Sequence, residues 1–185
     1  KFTEMNYEGR IHFDKKWGDF SLNAFAGVNR RHKTQSRLSS STNGGIVVPN
    51  YYFIGNSLDN PTTSSFRETS EVNSIYGMIS LGYKNMLFLE ATGRNDWFSS
   101  LPIINNSYFY PSVTGSFVFS EVFKPSWLNF GKLRAGVSQV SSDLTPYQTG
   151  DVFASSINFN GTPTFIQSNT KMNPLLKPEI QDTWE

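Results

Sequence analysis

Few side chains in this 185-residue chain have types and spacing that could do chemistry, and they fall into three groups: two histidines, a run of alternating charge, and aromatics beside long polar stretches. His12 and His32 are the only histidines, and a tight turn and a strand separate them, so an interior-facing or rim position fits them better than a metal or general-base role. Glu90, Arg94 and Asp96 occupy even positions of one extended run and so share one face of a strand. Carboxylates so spaced could serve acid/base work, but an interior ladder of charge is the better reading, and Lys132 and Arg134 lie on the polar parity of the alternating run after next. No Gly-x-Ser-x-Gly elbow, His-Glu-x-x-His, phosphate loop or calcium loop is present. With zero cysteines there is no thiol chemistry, disulfide framework or Cys-ligated zinc. The expectation is a non-enzyme with no catalytic residue, no metal site and no cofactor. Asn105-Asn106-Ser107 and Asn160-Gly161-Thr162 fit the glycosylation pattern, which is common by chance. For ligand contact the candidates are Tyr51, Tyr52, Trp97 and Tyr108, whose flat apolar faces suit sugar rings or peptide. Loop packing or a membrane-interface belt explains the same residues and stays open.

The elements that must position these residues are strands. Six stretches alternate apolar and polar residues, the pattern of a sheet with oil on one side and water on the other. In residues 6–14, Tyr7, Gly9, Ile11 and Phe13 oppose Asn6, Glu8, Arg10, His12 and Asp14. Residues 19–29 carry Phe20, Leu22, Ala24, Ala26 and Val28 on one face, with Phe25 as a bulky intruder on the other. Ile75, Ile79, Leu81 and Tyr83 mark the apolar parity of 74–83, and Leu87, Leu89 and Ala91 that of 86–96. Phe109, Val113, Phe117 and Phe119 then face away from Ser112, Thr114, Ser116 and Ser120, and Leu133, Ala135 and Val137 away from Lys132, Arg134 and Ser138. Small residues dilute the apolar parity, as lipid tolerates and a packed sandwich core does not favour.

Connections alternate in length. Tight turns are expected at 14–18 and at Lys84-Asn85, with a short segment around Lys124-Pro125-Ser126; long excursions are expected at about 30–70, 97–107 and 141–178. All short turns therefore lie at one end of the sheet, the asymmetry of outer-membrane barrels with their short periplasmic turns and longer extracellular loops. Runs of nine to eleven residues suit a tilted transmembrane strand. Trp17, Tyr83, Phe123 and Trp127 gather at the short-turn end, and Trp97, Phe98, Tyr108 and Phe109 at the other, as two interfacial belts would. Mean hydropathy is −0.39, which does not exclude such strands because only half their residues face lipid. A net charge of +1 with 17% charged residues argues against nucleic acid. The chain starts at Lys1 with no signal-like segment before its first strand, and is expected to be an internal piece of a longer protein.

Three stretches resemble the SusC/RagA-like TonB-linked outer-membrane proteins of the Bacteroidota. They are Tyr83-Lys84-Asn85-Met86 through Glu90-Ala91-Thr92-Gly93-Arg94-Asn95-Asp96-Trp97; Asn106-Ser107-Tyr108-Phe109-Tyr110-Pro111-Ser112-Val113 through Phe119-Ser120-Glu121; and Leu176-Lys177-Pro178-Glu179 with Thr183 and Glu185. The aromatic-Pro-Ser run ending in Ser-Glu is the most specific, and residues 1–47 match by pattern alone. The resemblance implies an all-β, antiparallel transmembrane barrel of about 22 strands around a plug, with this chain supplying about six strands and the start of a seventh. It also implies a Gram-negative outer-membrane location, a SusD-like surface lipoprotein, energy from TonB through an amino-terminal region absent here, and an oligosaccharide or, less favoured, a peptide as cargo. Glu90, Arg94, Asp96, Lys132 and Arg134 would then face the lumen and meet the plug. The alternative is a soluble glycan-binding β-sandwich or adhesin module; an outer-membrane enzyme barrel is third, for want of catalytic residues.

Overall fold

A computed structural model describes residues 1–123, 127–142, 144–156 and 158–185. Among these residues nine strands form: β1 Phe2–Trp17, β2 Phe20–Ile46, β3 Ser57–Tyr83, β4 Leu87–Phe98, β5 Ser107–Phe117, β6 Leu133–Ser141, β7 Phe153–Ser155, β8 Phe165–Gln167 and β9 Ile180–Trp184. Seven of them make one open antiparallel sheet in the order β1-β2-β3-β4-β5-β6-β9, and β7 with β8 make a small separate hairpin. Six long strands and a shorter seventh thus make the sheet; β1 to β6 each lie beside their neighbours in sequence, and β9 pairs with β6 across the β7-β8 excursion.

Register turns the alternation into continuous rows. Trp17, Phe20, Tyr83, Leu87, Phe117 and Leu133 are successive cross-strand partners on the apolar face at the short-turn end. Phe13, Ala24, Ile79, Ala91, Val113 and Val137 form a row two steps higher. Among the described residues none covers this face: Ile11 is 79% exposed, and the only buried apolar residues are Val72, Phe98, Leu101 and Val118. Three of these four form the small cluster Val72, Phe98 and Leu101, on which Tyr108, Tyr110, Leu144 and Leu176 pack. The excursion after β6 therefore folds back over the opposite, polar face at the long-connection end.

Several boundaries differ from the sequence reading. The ladder of β1 runs on through Lys15 and Lys16 to Trp17, so the first turn is Gly18-Asp19, with Gly18 at φ +57°; backbone pairing outlasts the hydropathy pattern. Lys84 and Asn85 both have positive φ, the requirement of a type I′ turn. Met86 N–H closes that turn on the Tyr83 carbonyl at 3.0 Å, so three residues rather than two stand outside the ladder. Lys84 also lies 3.5 Å from Asp19, which ties the two turns together. Strand β5 stops at Phe117, and Phe119 and Ser120 instead belong to a 3-10 turn whose Ser120 N–H donates to the Gly131 carbonyl. The connection leading on to β6 is consequently longer than the two tight turns; Lys124-Pro125-Ser126 lie outside the described residues.

The largest departure is at 30–70. That excursion is paired strand except at 47–56: β2 and β3 continue as a hairpin through partners such as Ser39 with Ser64, Ser40 with Thr63 and Ser41 with Thr62. Polar residues on both faces carry no alternation signal, while Thr and Ser cross-strand pairs still suit a strand.

Candidate functional site

The polar face of the sheet gathers the charged side chains, and its rows are set by register. Arg10, Gly27, Tyr76, Arg94 and Tyr110 are successive partners across five strands, and His12, Phe25, Met78, Thr92 and Ser112 form the next row toward the short turns. The Tyr76 ring lies across Gly27, where a Cβ would sit 2.6 Å from the ring, so only glycine leaves room for it. This lets the Tyr76 hydroxyl reach Glu8 on β1 and donate a hydrogen bond to its carboxylate. Phe25 meets Tyr76 edge-on at 6.1 Å, and His12 at a tilt at 5.4 Å. The Arg10 guanidinium stands 5.4 Å over Phe25, and that of Arg94 stands 5.7 Å over Tyr76, both within cation–π range. Phe25, an intruder by hydropathy, is therefore the centre of an aromatic floor flanked by two cations.

Arg94 is held from two sides. Its Nε donates to Asp96 at 2.7 Å and a terminal nitrogen donates to Ser74 at 2.7 Å. Asp96 is only 8% exposed, so this pair shields its charge under the adjoining loops. Glu90, Lys132 and Arg134 gather separately, toward the short turns, where with Ser80, Thr114 and Ser116 they line a polar cavity of about 330 Å³. The five charges read from the sequence thus form two groups on one face rather than a single ladder. Arg134 also pairs with Glu185 at 3.3 Å. Among the described residues, no three His, Cys, Asp or Glu side chains gather as a metal site.

The four aromatic candidates do not converge. Tyr51 and Tyr52 sit at the tip of the β2-β3 hairpin, where Tyr52 is 82% exposed and Tyr51 packs edge-on against Phe53 at 4.7 Å. Asn56 organises that tip: it is 5% exposed, its side-chain amide donates to the Val48 and Tyr51 carbonyls, and its Oδ1 accepts the Val48 N–H. Trp97 is on the apolar face, in a row with Tyr7, Arg30 and Asn73. Tyr108 is on the polar face, packed on the Val72 cluster. Sequence reasoning missed Glu8, Phe25, Tyr76 and Asn56. The available signal was two aromatics on a polar parity, with a glycine directly across from one of them.

No protein-family model matches the sequence, and no curated protein matches it. Solved structures do match the fold. The RagAB peptide importer in its "closed-closed" state superposes with a TM-score of 0.86 at 16% identity, covering 99% of this chain and 21% of that one. A second structure of the RagAB peptide transporter gives 0.83 at 16%, and the "open-open" state gives 0.79 at 18%, with the same coverage. This chain spans about a fifth of the length of those chains. At such identities the likeness is one of fold. It meets the SusC/RagA resemblance from a separate direction, since one rests on the path of the backbone and the other on three short motifs.

Proposed function

We propose that this chain is part of the wall and outer mouth of a TonB-dependent outer-membrane nutrient importer that works with a SusD-like surface lipoprotein. The observation that carries the reading is the contrast between the two faces of one sheet: aromatic-edged, apolar and uncovered on one side, charged and partly covered by loops on the other. A soluble sandwich would bury its apolar parity against a second sheet, whereas among the described residues Phe13 and Ile79 of this row stay 52% and 54% exposed. Lipid is the solvent that suits it. The short turns then face the periplasm and the β2-β3 hairpin faces outward, with its exposed Tyr51 and Tyr52 placed to meet a lid lipoprotein or the incoming nutrient. TonB acts on an amino-terminal region beyond these residues. The fold neighbours are named as peptide importers, and the polar face offers both signs of charge beside aromatics, which together favour peptide over oligosaccharide as cargo.

Single cysteines in an otherwise cysteine-free full-length protein test the orientation. In intact cells a membrane-impermeant maleimide is expected to label Ser40→Cys on the hairpin, and to spare Leu89→Cys on the apolar face and Asn85→Cys in the short turn. Permeabilising the outer membrane should add Asn85→Cys alone. Labelling of Asn85→Cys in intact cells with Ser40→Cys protected would reverse the orientation, and equal labelling of all three would return the sheet to the soluble class. Loss of labelled-oligopeptide uptake on deleting the gene, with oligosaccharide uptake unchanged, checks the cargo; the opposite result assigns oligosaccharide.

A further inference from the structure

The apolar face does not end in bare solvent at the hairpin end; it ends in a built polar site. Tyr7, Arg30, Asn73 and Trp97 are successive cross-strand partners, and all four lie on the apolar parity. The row beneath them holds Gly9, Val28, Ile75, Asn95 and Phe109, and the row above holds Met5, His32 and Glu71. Tyr7, Val28, Arg30, Asn73, Ile75 and Trp97 line a cavity of about 540 Å³. Its floor is aliphatic, its two sides are aromatic, and its top is a guanidinium and an amide.

Glu71 arranges that top. A terminal nitrogen of Arg30 donates to one Glu71 oxygen at 2.8 Å, and the Asn73 amide donates to the other at 3.1 Å. His32 Nδ1 lies 3.5 Å from the first of these oxygens, and its other nitrogen lies 3.3 Å from Thr34. A carboxylate that grips a guanidinium at one nitrogen fixes the planar fork without using all of its donors. Arg30 remains 59% exposed in this arrangement.

We propose that this pocket binds the phosphorylated sugar headgroup of an anionic outer-leaflet glycolipid. The proposal rests on the orientation given above, which puts this rim at the outer leaflet. Arg30 takes the phosphate, Tyr7 and Trp97 flank the sugar, and the first acyl methylenes lie on Val28 and Ile75. A lipid is favoured over a protein partner because the pocket is continuous with the apolar band: Val28 leads down to Ala26 and Ala24, and Ile75 to Gly77 and Ile79, without a charged side chain between.

The test uses the full-length transporter purified in detergent, with diphosphoryl lipid A and its dephosphorylated form as probes and native mass spectrometry as the readout. Wild type should retain the diphosphoryl form preferentially. Arg30→Gln should weaken that retention by about tenfold or more, the effect of losing a charge-assisted hydrogen bond. Arg30→Lys should keep part of it. Arg37→Gln, the same change of charge on the opposite face of the hairpin, should leave it unaltered. Equal retention of the two probes, or an equal loss in Arg37→Gln, overturns the site. A heat-modifiable barrel that labels from outside at residue 40 yet retains no lipid A overturns this site and leaves the transporter reading standing. A protein that fails the labelling test removes the orientation, and this site with it.

Discussion

Strands β2 and β3 are paired over nearly their whole length, yet they contain two regions built on different rules. Between Phe20 and Val28 the apolar parity of β2 reads Phe, Leu, Ala, Ala, Val against Asp19, Ser21, Asn23 and Asn29, and its partners on β3 are Tyr83, Leu81, Ile79, Gly77 and Ile75. From Ser36 upward the same parity reads Ser36, Leu38 and Ser40, and the partners are Arg67, Ser65 and Thr63. The ladder does not change; the character of one face does. Alternation is therefore a record of two unlike media, and backbone pairing can continue where both are alike.

Arginine on the apolar parity sharpens this contrast most. In the full-length protein Leu89→Arg and Val113→Arg should each cost about 2–4 kcal/mol where the wall is deepest in lipid, and reduce heat-modifiable barrel in outer-membrane fractions several-fold. Leu38→Arg, on the same parity of β2 but in the hairpin, should stay within about 0.5 kcal/mol, as surface changes do. Ser116→Arg, on the polar face, should also assemble. Equal loss at positions 38 and 89 would break the comparison.

A deletion probes the hairpin from the other side. Shortening 36–66 to a tight turn should leave the heat-modifiable barrel at wild-type level, because these residues lie above the apolar rows. Lid pull-down or nutrient uptake should fall several-fold, and growth on the nutrient together with an unchanged pull-down would count against a role for the tip.

The smallest effect is expected inside that tip. Asn56→Ala removes three hydrogen bonds from a buried side chain, and should loosen 47–56 by about 1–3 kcal/mol of local stability. Faster protease nicking of intact cells between Val47 and Asn56, with no change in barrel assembly, is the measurement. An unchanged nicking rate would mean that the tip is ordered by its aromatics instead.

What was legible in the sequence follows the same division. Tyr7, Gly9, Ile11 and Phe13 announce β1 because one face of that stretch is apolar and the other polar, and the apolar parity of Leu89 and Val113 is readable from sequence in the same way. The hairpin was not legible, since pairs such as Ser40 with Thr63 look alike on both faces. Phe25 and Tyr76 were hidden for a third reason: they break parity, and their purpose appears only when register sets Gly27 under the Tyr76 ring. Parity puts the five charges on one face, but their division into an Arg94-Asp96 pair and a Glu90-Lys132-Arg134 cavity needed side-chain placement. Arg30 and Asn73 fall just outside the alternating runs 19–29 and 74–83, and neither could be matched to its row-mate without the ladder.

The paired shaft of the hairpin also constrains how its height can evolve. Adding two residues to each strand preserves which side chain faces which way and lifts the tip by about 7 Å. Adding one residue to each would turn the sequence beyond the insertion over, exchanging the faces of the shaft. The reach of this element can thus be tuned in even steps, by short duplications of serine and threonine, without disturbing the wall below.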